Sequence, residues 1–404
     1  MPDPVAPETS PLLHGKSHPR APLPWTKARE LAWVTGAGGG QPMAEEPLDG
    51  ALGATLGADL VSAVDVPALD SAAMDGYAVA GEGPWTVRGR SLAGRRGPVA
   101  RLGPGEAVEI ATGAVVPEGT TAVLPWERAT VSSGRVRGEA EAGRHIRRRG
   151  ETTPAGALAA RRGSPVTPVL LGLAASLGLD TLPVVRPVVR VLVTGDEVVR
   201  EGVPRPGAVR DAIGPLLPGL VAWAGGRCLP ALAVADRGRD TARALGGAPP
   251  CDVVAVCGSS SAGPADHLRA VLAELGARMV VDGVACRPGH PQVLAVLPSG
   301  TVVVGLPGNP GAALAAALTL LVPVLTGRAG RRDPAHLGRR VRLIGPTPPH
   351  PSDTRLVPVR VSRDLAVELP GTGSADLRAA AVADALAVVP PGRRTGRVEL
   401  VELP

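Results

Sequence analysis

Three glycine-containing turns, each directly after an apolar run, hold residues whose types and spacing suit the capture of an anion together with a divalent cation. Thr194-Gly195-Asp196-Glu197 sets two acids at the end of the run 188–193. Such a pair bridges a hard cation to a phosphate or other oxyanion, and it equally suits the positive end of a following helix. Gly258-Ser259-Ser260-Ser261-Ala262-Gly263 joins the run 252–257 to a segment in which Leu268, Val271, Leu272 and Leu275 recur at helical spacing. A strand, a small-residue loop and a helix start form a phosphate cradle of unpaired backbone N–H groups and serine hydroxyls. Asp266 follows near the helix start, where it is either a cap or part of the site. Gly305-Leu306-Pro307-Gly308-Asn309-Pro310 is the third turn, and its two prolines and two glycines specify more backbone than a tight turn requires. Between these lies Arg287-Pro288-Gly289-His290-Pro291, in which cationic side chains flank a rigid turn. With no second histidine nearby in the chain, His290 reads as an anion contact or a plain surface residue rather than a metal ligand. Upstream, Asp75-Gly76-Tyr77 places the only tyrosine of a chain without phenylalanine beside an acidic, glycine-broken turn.

The elements needed to present these turns follow from the apolar pattern. Strand-like runs at 188–193, 252–257 and 302–305 alternate with helical segments near 218–224, 266–275 and 312–325, which predicts a doubly wound α/β domain with a parallel sheet. Ligands of such sheets sit beyond the carboxyl ends of the strands, where the three turns fall. Between 85 and 144, short valine-bearing runs at 107–110, 121–124 and 129–136 are separated by glycines, which predicts a small β-rich module. Apolar spacing over 165–179 predicts a helix. Residues 1–22 read as a flexible leader, 25–34 as a short helix, and the glycine run 36–40 as a linker. A basic break at 328–332 leads to a valine- and proline-rich block, expected to be a small β domain with one helix near 375–386.

Composition narrows the function classes. The 404 residues exceed one ordinary core, so roughly two to four domains are expected. With 53 glycines, 44 prolines and 44% apolar residues, the chain reads as folded and rich in turns. Lysine occurs only at Lys16 and Lys27, so arginine abundance reflects a general compositional bias more than a function. A net charge of +6 permits an anionic ligand. Nucleic acid is not expected, because five scattered tryptophans offer no stacking platform and no zinc-finger or helix-turn-helix pattern occurs. Cys228, Cys251, Cys257 and Cys286 lack metal-site spacing and read as buried thiols in a reducing cytoplasm. The longest uncharged run, 292–326, is broken by prolines and glycines, and no membrane span or secretion signal is expected.

Taken in order, the motifs resemble those of the molybdopterin molybdenumtransferase family, the MoeA/gephyrin E-domain group. Ser71-Ala72-Ala73-Met74-Asp75-Gly76-Tyr77-Ala78-Val79 is similar to its S-A-M-D-G-Y-A signature, and Ile110-Ala111-Thr112-Gly113-Ala114 with Pro117 and Glu127 to its I-x-T-G-A…P…E segment. Arg147-Arg148-Arg149-Gly150-Glu151, the acidic turn at 194–197, Asp211, the loop 258–263 with Asp266, Pro288-Gly289-His290-Pro291, Leu306-Pro307-Gly308-Asn309-Pro310 and Gly373-Ser374-Ala375-Asp376-Leu377 follow in the family's order. The match covers residues 25–404. It departs at His290, where a lysine is common, at Ser259, where the family's second glycine stands, at Thr152, where an acid is usual, and at Ile213, where an asparagine is common.

The resemblance implies a four-part subunit. Its parts are a discontinuous elongated domain at 23–65 and 144–184, a β-rich insertion at 66–143, a pterin-binding α/β domain at 185–327 and a C-terminal β domain at 328–404. It implies a homodimer with the site between subunits, and insertion of molybdate into adenylylated molybdopterin with Mg²⁺ and release of AMP. Residue by residue, it implies catalytic roles for Asp75, Thr112, Glu197 and Asp266, and Mg²⁺ ligation by Glu197, Asp236 and Asp266. It assigns Gly258, Ser261 and Gly263 to the pterin phosphate, and Arg287, Pro288, Gly289 and His290 to the molybdate turn. Pro307, Gly308 and Asn309 form the third turn, with Arg355 and Ser374 closing the site. A molybdopterin adenylyltransferase or a molybdoenzyme is the implied protein partner. The competing expectation is a molybdopterin-binding carrier without catalysis, which the loss of a lysine at His290 favours and the acids Asp75, Glu197 and Asp266 oppose.

Overall fold

The computed structural model describes residues 21–40, 42–94, 101–247, 250–258, 266–335, 338–371, 373–392 and 396–404. Most of the expected leader, together with Ser259, Ser261 and Gly263, lies outside the described residues. The chain divides into two units, Pro42–Val185 and a second made of the preceding segment with Arg186–Pro404.

In the second unit, Val188–Thr194, Val253–Cys257 and Val302–Leu306 pair in parallel, Val191 beside Ala255 and Ala255 beside Val304. Burial on both faces explains why these strands read as unbroken apolar runs. Val189, Val191 and Val193 pack with Leu217 and Val221 of the helix Ile213–Trp223 and with Leu318. Leu192, Val254 and Val256 point the other way, toward Leu245 and Leu272 of the helices Gly238–Gly246 and Leu268–Glu274. Helices therefore cover both faces. The all-parallel expectation needs correction at one edge, where Val293–Val296 and Arg278–Asp282 run antiparallel. The link from Val296 to Val302 is too short for a crossover, and Gly300 turns it at φ +87°, so the two strands can only form a hairpin.

The helix Trp25–Ala37 runs on through Gly36, so the glycine run is not wholly a linker. A Cβ on Gly36 would lie 2.0 Å from the Val324 carbonyl oxygen, and one on Gly327 would lie 2.2 Å from that of Trp33. Glycine at both positions lets two helix backbones touch. Their partner, Pro310–Ala329, is long and apolar enough to cross a membrane by length and composition, and it is buried in this unit's core. It passes through a π-helical turn, Ala317–Leu321, ahead of Pro323. Five residues on from Leu318, that proline has no N–H to offer, and Arg29 Nη1 donates to the Leu318 carbonyl instead. Arg29 is 7% exposed, pairs with Asp333 and lies 5.1 Å from the Trp25 ring centroid.

Two arginines of the basic stretch at 328–332 are tied to the α/β domain. Arg328 Nη2 and Nε donate to Asp252 Oδ1 at 2.7 and 3.1 Å, and Arg331 Nη2 donates to the Trp223 carbonyl at 3.0 Å. After it, Arg340–Ile344, Thr354–Ser362, Leu365–Glu368, Ala385–Val389 and Val398–Glu402 close into a five-stranded ring, because Thr354–Ser362 pairs with both Leu365–Glu368 and Ala385–Val389. The helix expected near 375–386 is replaced by a single 3₁₀ turn, Ala380–Val382, and a fully buried strand. The alanine-rich sequence suited a helix, but alternate alanines at Ala385 and Ala387 fill the narrow ring interior. Val284–Arg287 extends the sheet in parallel, placing Arg287 beside Arg355.

In the unit Pro42–Val185, six strands order as Thr130–Ser132, Arg135–Arg137, Trp85–Ser91, Glu106–Ile110, Gly76–Val79 and Ala122–Pro125. A Cβ on Gly76 would lie 2.0 Å from the Leu124 carbonyl oxygen, so this strand pair requires glycine. Thr181–Val185 joins Met43–Pro47 and Thr55–Leu56 in a separate three-stranded sheet, which packs with the helix Pro168–Ser176 through Leu56, Leu170 and Leu182.

The four cysteines are free thiols, with Cys257 and Cys286 buried and Cys228 and Cys251 half-buried. Burial pushes the Cys286 thiol up to about 12.

Candidate functional site

At the carboxyl ends of the three parallel strands the predicted turns start side by side, the second being described only at Gly258. Thr194 Oγ1 donates to the Cys257 carbonyl at 3.0 Å, and the Gly258 N–H donates to the Leu306 carbonyl at 3.0 Å. Gly258 has φ +91°, and a Cβ there would sit 2.7 Å from Thr194 Oγ1, so the turns meet only through glycine. They frame a cleft of about 660 Å³ whose lining includes Glu197, Asp211, Asp236, Asp266, Gly258 and Gly308. Asp211 is partly committed, because its Oδ1 accepts from the N–H groups of Ile213 and Gly214 at the start of the helix Ile213–Trp223. Asp196 Oδ1 accepts from the Asp236 N–H at 3.2 Å, tying two of the acidic loops together.

A second cleft, of about 480 Å³, shares the wall formed by Pro291, Pro307 and Asn309. Arg287, His290 and Arg355 give one part of its lining a cationic character, while Glu368 and Asp376 line it as well. The Arg287-to-Pro291 turn is pressed onto the helix that begins at Pro310: Gly289 has φ +105°, and a Cβ there would meet the Ala312 carbonyl oxygen at 3.2 Å. From beneath, the fully buried Gln292 Nε2 donates to the Gly289 carbonyl at 2.8 Å. Arg355 Nε is buried and has no hydrogen-bond partner among the described residues. On the far side, Asn309 Nδ2 donates to Ser374 Oγ at 3.0 Å and the Ala312 N–H donates to the Ser374 carbonyl. Gly311 leaves room for that loop, because a Cβ there would come within 2.8 Å of the Ser374 carbonyl oxygen.

In the other unit, Asp75 is an exposed carboxylate with a built partner. Its Oδ1 accepts from the Thr112 N–H at 2.6 Å and from Thr112 Oγ1 at 3.0 Å. The Thr112 backbone hydrogen bond, then the hydroxyl, holds its carboxyl below the ordinary value.

Comparison with known proteins agrees with this geometry. Residues 23–178 match the MoeA N-terminal region (domain I and II), 190–327 a probable molybdopterin binding domain, and 340–400 the MoeA C-terminal region (domain IV). Molybdopterin molybdenumtransferase 2 of Mycobacterium tuberculosis is 35% identical over 311 residues, covering 71% of this chain and 76% of its own length. The chain belongs to the molybdopterin molybdenumtransferase family. Molybdopterin molybdenumtransferase of Haemophilus influenzae is 32% identical, covering 68% of this chain and 70% of its own length. Among solved structures, the molybdopterin biosynthesis moea protein from Pyrococcus horikosii superposes with a TM-score of 0.76 at 28% identity, covering 95% of this chain and 99% of that one. The family acts in molybdenum cofactor biosynthesis.

Of the residues assigned by the family resemblance, Glu197, Asp236, Asp266, Gly258, Pro307, Gly308 and Asn309 line the acidic cleft. Arg287, Pro288, Gly289, His290, Arg355 and Ser374 line the cationic one, together with Pro307 and Asn309. No group of three metal-ligating side chains converges among the described residues, so Glu197, Asp236 and Asp266 line one cleft without forming a closed cage. Thr347 and Glu368, which also line the cationic cleft and are hydrogen-bonded to each other, were not anticipated. They lie in turn and strand sequence without motif character, and only closure of the ring brings them here.

Proposed function

We propose that this chain inserts molybdate into adenylylated molybdopterin and releases AMP, in a Mg²⁺-dependent reaction carried out by a cytoplasmic homodimer. The observation that carries the reading is the juxtaposition of an acidic cleft and a cationic cleft across one wall, Pro291, Pro307 and Asn309. A phosphorylated substrate with a cation at one end and an oxyanion at the other needs both characters within reach.

The donor set fits Mg²⁺, which is commonly held by one or two carboxylates plus substrate phosphates rather than by an all-protein cage. Glu197, Asp236 and Asp266 would hold it, with Asp211 beside them. Bound there, Mg²⁺ would neutralise charge on the adenylate phosphate. Gly258, Ser261 and Gly263 are the residues proposed to receive the pterin phosphate. Arg287, Arg355 and His290 receive molybdate as substrate, with Ser374 oriented by Asn309. His290 brings a shorter side chain than the lysine common at this position, so molybdate capture rests mainly on the two arginines. Asp75, hydrogen-bonded by Thr112, supplies a further catalytic carboxylate. A molybdopterin adenylyltransferase would supply the substrate, and a molybdoenzyme would accept the product.

The test is AMP release from adenylylated molybdopterin by the purified protein with Mg²⁺ and molybdate, beside Asp75→Asn. Release that depends on molybdate and is abolished by the substitution supports the reading. Tight pterin binding with no release would support a carrier instead.

A further inference from the structure

Arg287 is held from one side. Its Nε donates to Asp353 Oδ2 at 2.6 Å, and no other hydrogen bond of its side chain occurs among the described residues, so both terminal amino groups remain open toward the cationic cleft. The contrast in exposure is sharp: the Arg287 side chain is 59% exposed, whereas that of Asp353 is 8%. The carboxylate is buried, and the exposed partner is the arginine, which lines the cleft.

Asp353 is itself fixed. Ser352 Oγ donates to its Oδ1 at 2.9 Å. His350 Nδ1 accepts the Asp353 N–H at 3.0 Å and the Ser352 N–H at 3.3 Å, which puts the ring proton on Nε2. His350 Nδ1 lies 3.6 Å from Asp353 Oδ2, and Arg287 Nε, at 2.6 Å, is the nearer cationic group. The segment leads directly into Thr354–Ser362, where Arg287 and Arg355 are lateral neighbours in parallel strands. Two guanidinium groups on adjacent strands repel, and a carboxylate bonded to one of them offsets that repulsion.

We propose that Asp353 is a positioning residue for the oxyanion site, holding Arg287 by Nε so that its two terminal amino groups face the cleft as a preformed fork. This rests on the reading of the cationic cleft as the molybdate site. A fork ordered in advance loses less side-chain freedom on binding, and two parallel N–H groups match an oxyanion edge. Charge alone argues the opposite sign: removing a carboxylate beside an anion site should tighten anion binding. Weaker binding after its removal therefore reports positioning.

The experiment is calorimetric titration of the intact protein with molybdate, using Arg287→Ala, Asp353→Ala, Asp353→Asn and the double variant Arg287→Ala/Asp353→Ala, with thermal melts on each. The expected result is that Arg287→Ala weakens molybdate binding and Asp353→Ala weakens it roughly three- to tenfold. The double variant should bind no more weakly than Arg287→Ala alone. Unchanged or tighter binding by Asp353→Ala, while Arg287→Ala weakens it, overturns the proposal and leaves the cleft reading standing. So does a further loss in the double variant, because Asp353 would then act through something other than Arg287. No effect of Arg287→Ala overturns the cleft reading and the proposal with it. Should Asp353→Ala fail to fold, Asp353→Asn, which keeps an acceptor for Nε but not the charge, carries the comparison in both Arg287 backgrounds.

Discussion

Asp75 and Thr112 are 37 positions apart, and their pairing depends on the Gly76–Val79 strand lying beside Glu106–Ile110 with Gly76 opposite Ile110. Thr112 makes two bonds to one oxygen, and the backbone one contributes most to the lowered Asp75 carboxyl value. Thr112→Val deletes the hydroxyl and keeps the N–H. The expected outcome is a partial return of the Asp75 value toward about 4, read by carboxyl-carbon NMR titration, with the fold unchanged. The sign for stability follows from the depressed value. The ionised Asp75 contributes above about pH 4, and that contribution is lost as pH falls through the lower folded-state value, so the variant should lose less stability than the parent on acidification.

The helix pair formed by Trp25–Ala37 and the Pro310–Ala329 stretch shows how an element depends on one buried charge. Arg29 answers the Leu318 carbonyl at the π turn and pairs with Asp333, its guanidinium lying over the Trp25 ring. Trp25 Nε1 donates to Thr319 Oγ1 at 3.1 Å, and that hydroxyl donates on to the Ala315 carbonyl, so the polar groups around the π turn form one network. Burial lowers the Arg29 value, and Asp333 opposes that shift. Arg29→Ala would leave a half-buried carboxylate, still bonded to the Ala335 N–H, and the Leu318 carbonyl without their arginine partner. The expected cost is about 3–5 kcal/mol of unfolding free energy, measured by urea denaturation. Arg29→Met should recover part of it by filling the volume. Nothing in the local sequence distinguishes Arg29 from the many other arginines, because its partners lie some 290 to 300 positions away.

The unit Pro42–Val185 has cores of its own. One gathers Leu56, Leu170, Leu182 and Val184, another Ala78, Val108, Ile110 and Val123, and a third Val79, Trp85, Leu124 and Val136. Every member of these buried clusters falls between 42 and 185. A chain of residues 42–185 expressed alone should therefore give a cooperative thermal transition and retain the lowered Asp75 carboxyl value. A broad, non-cooperative melt would mean that these cores need the rest of the molecule. The fragment should release no AMP from adenylylated molybdopterin, because both clefts described above lie in the remaining sequence.

What the sequence determined by itself were the features that repeat over short distances. Unbroken valine runs mark strands buried on both faces, apolar spacing marks helices, and the glycine turns that follow those strands must fall at the carboxyl ends of a parallel sheet. Motif order reached the family because turn chemistry is local: Pro307, Gly308 and Asn309 specify their loop with residues adjacent in the chain. Tertiary structure decided what depends on distant partners. It made 385–389 a strand, since alanine fits inside a narrow closed ring although its intrinsic preference is helical. It turned Gly36 into a helix contact, buried Arg328 against Asp252, and brought Thr347 and Glu368 to a cleft no motif announced. It also set Asp353 behind Arg287 across 66 positions. Such contacts arise from the closing of sheets and rings, whose geometry is a property of the whole chain and leaves no periodic trace in any one segment.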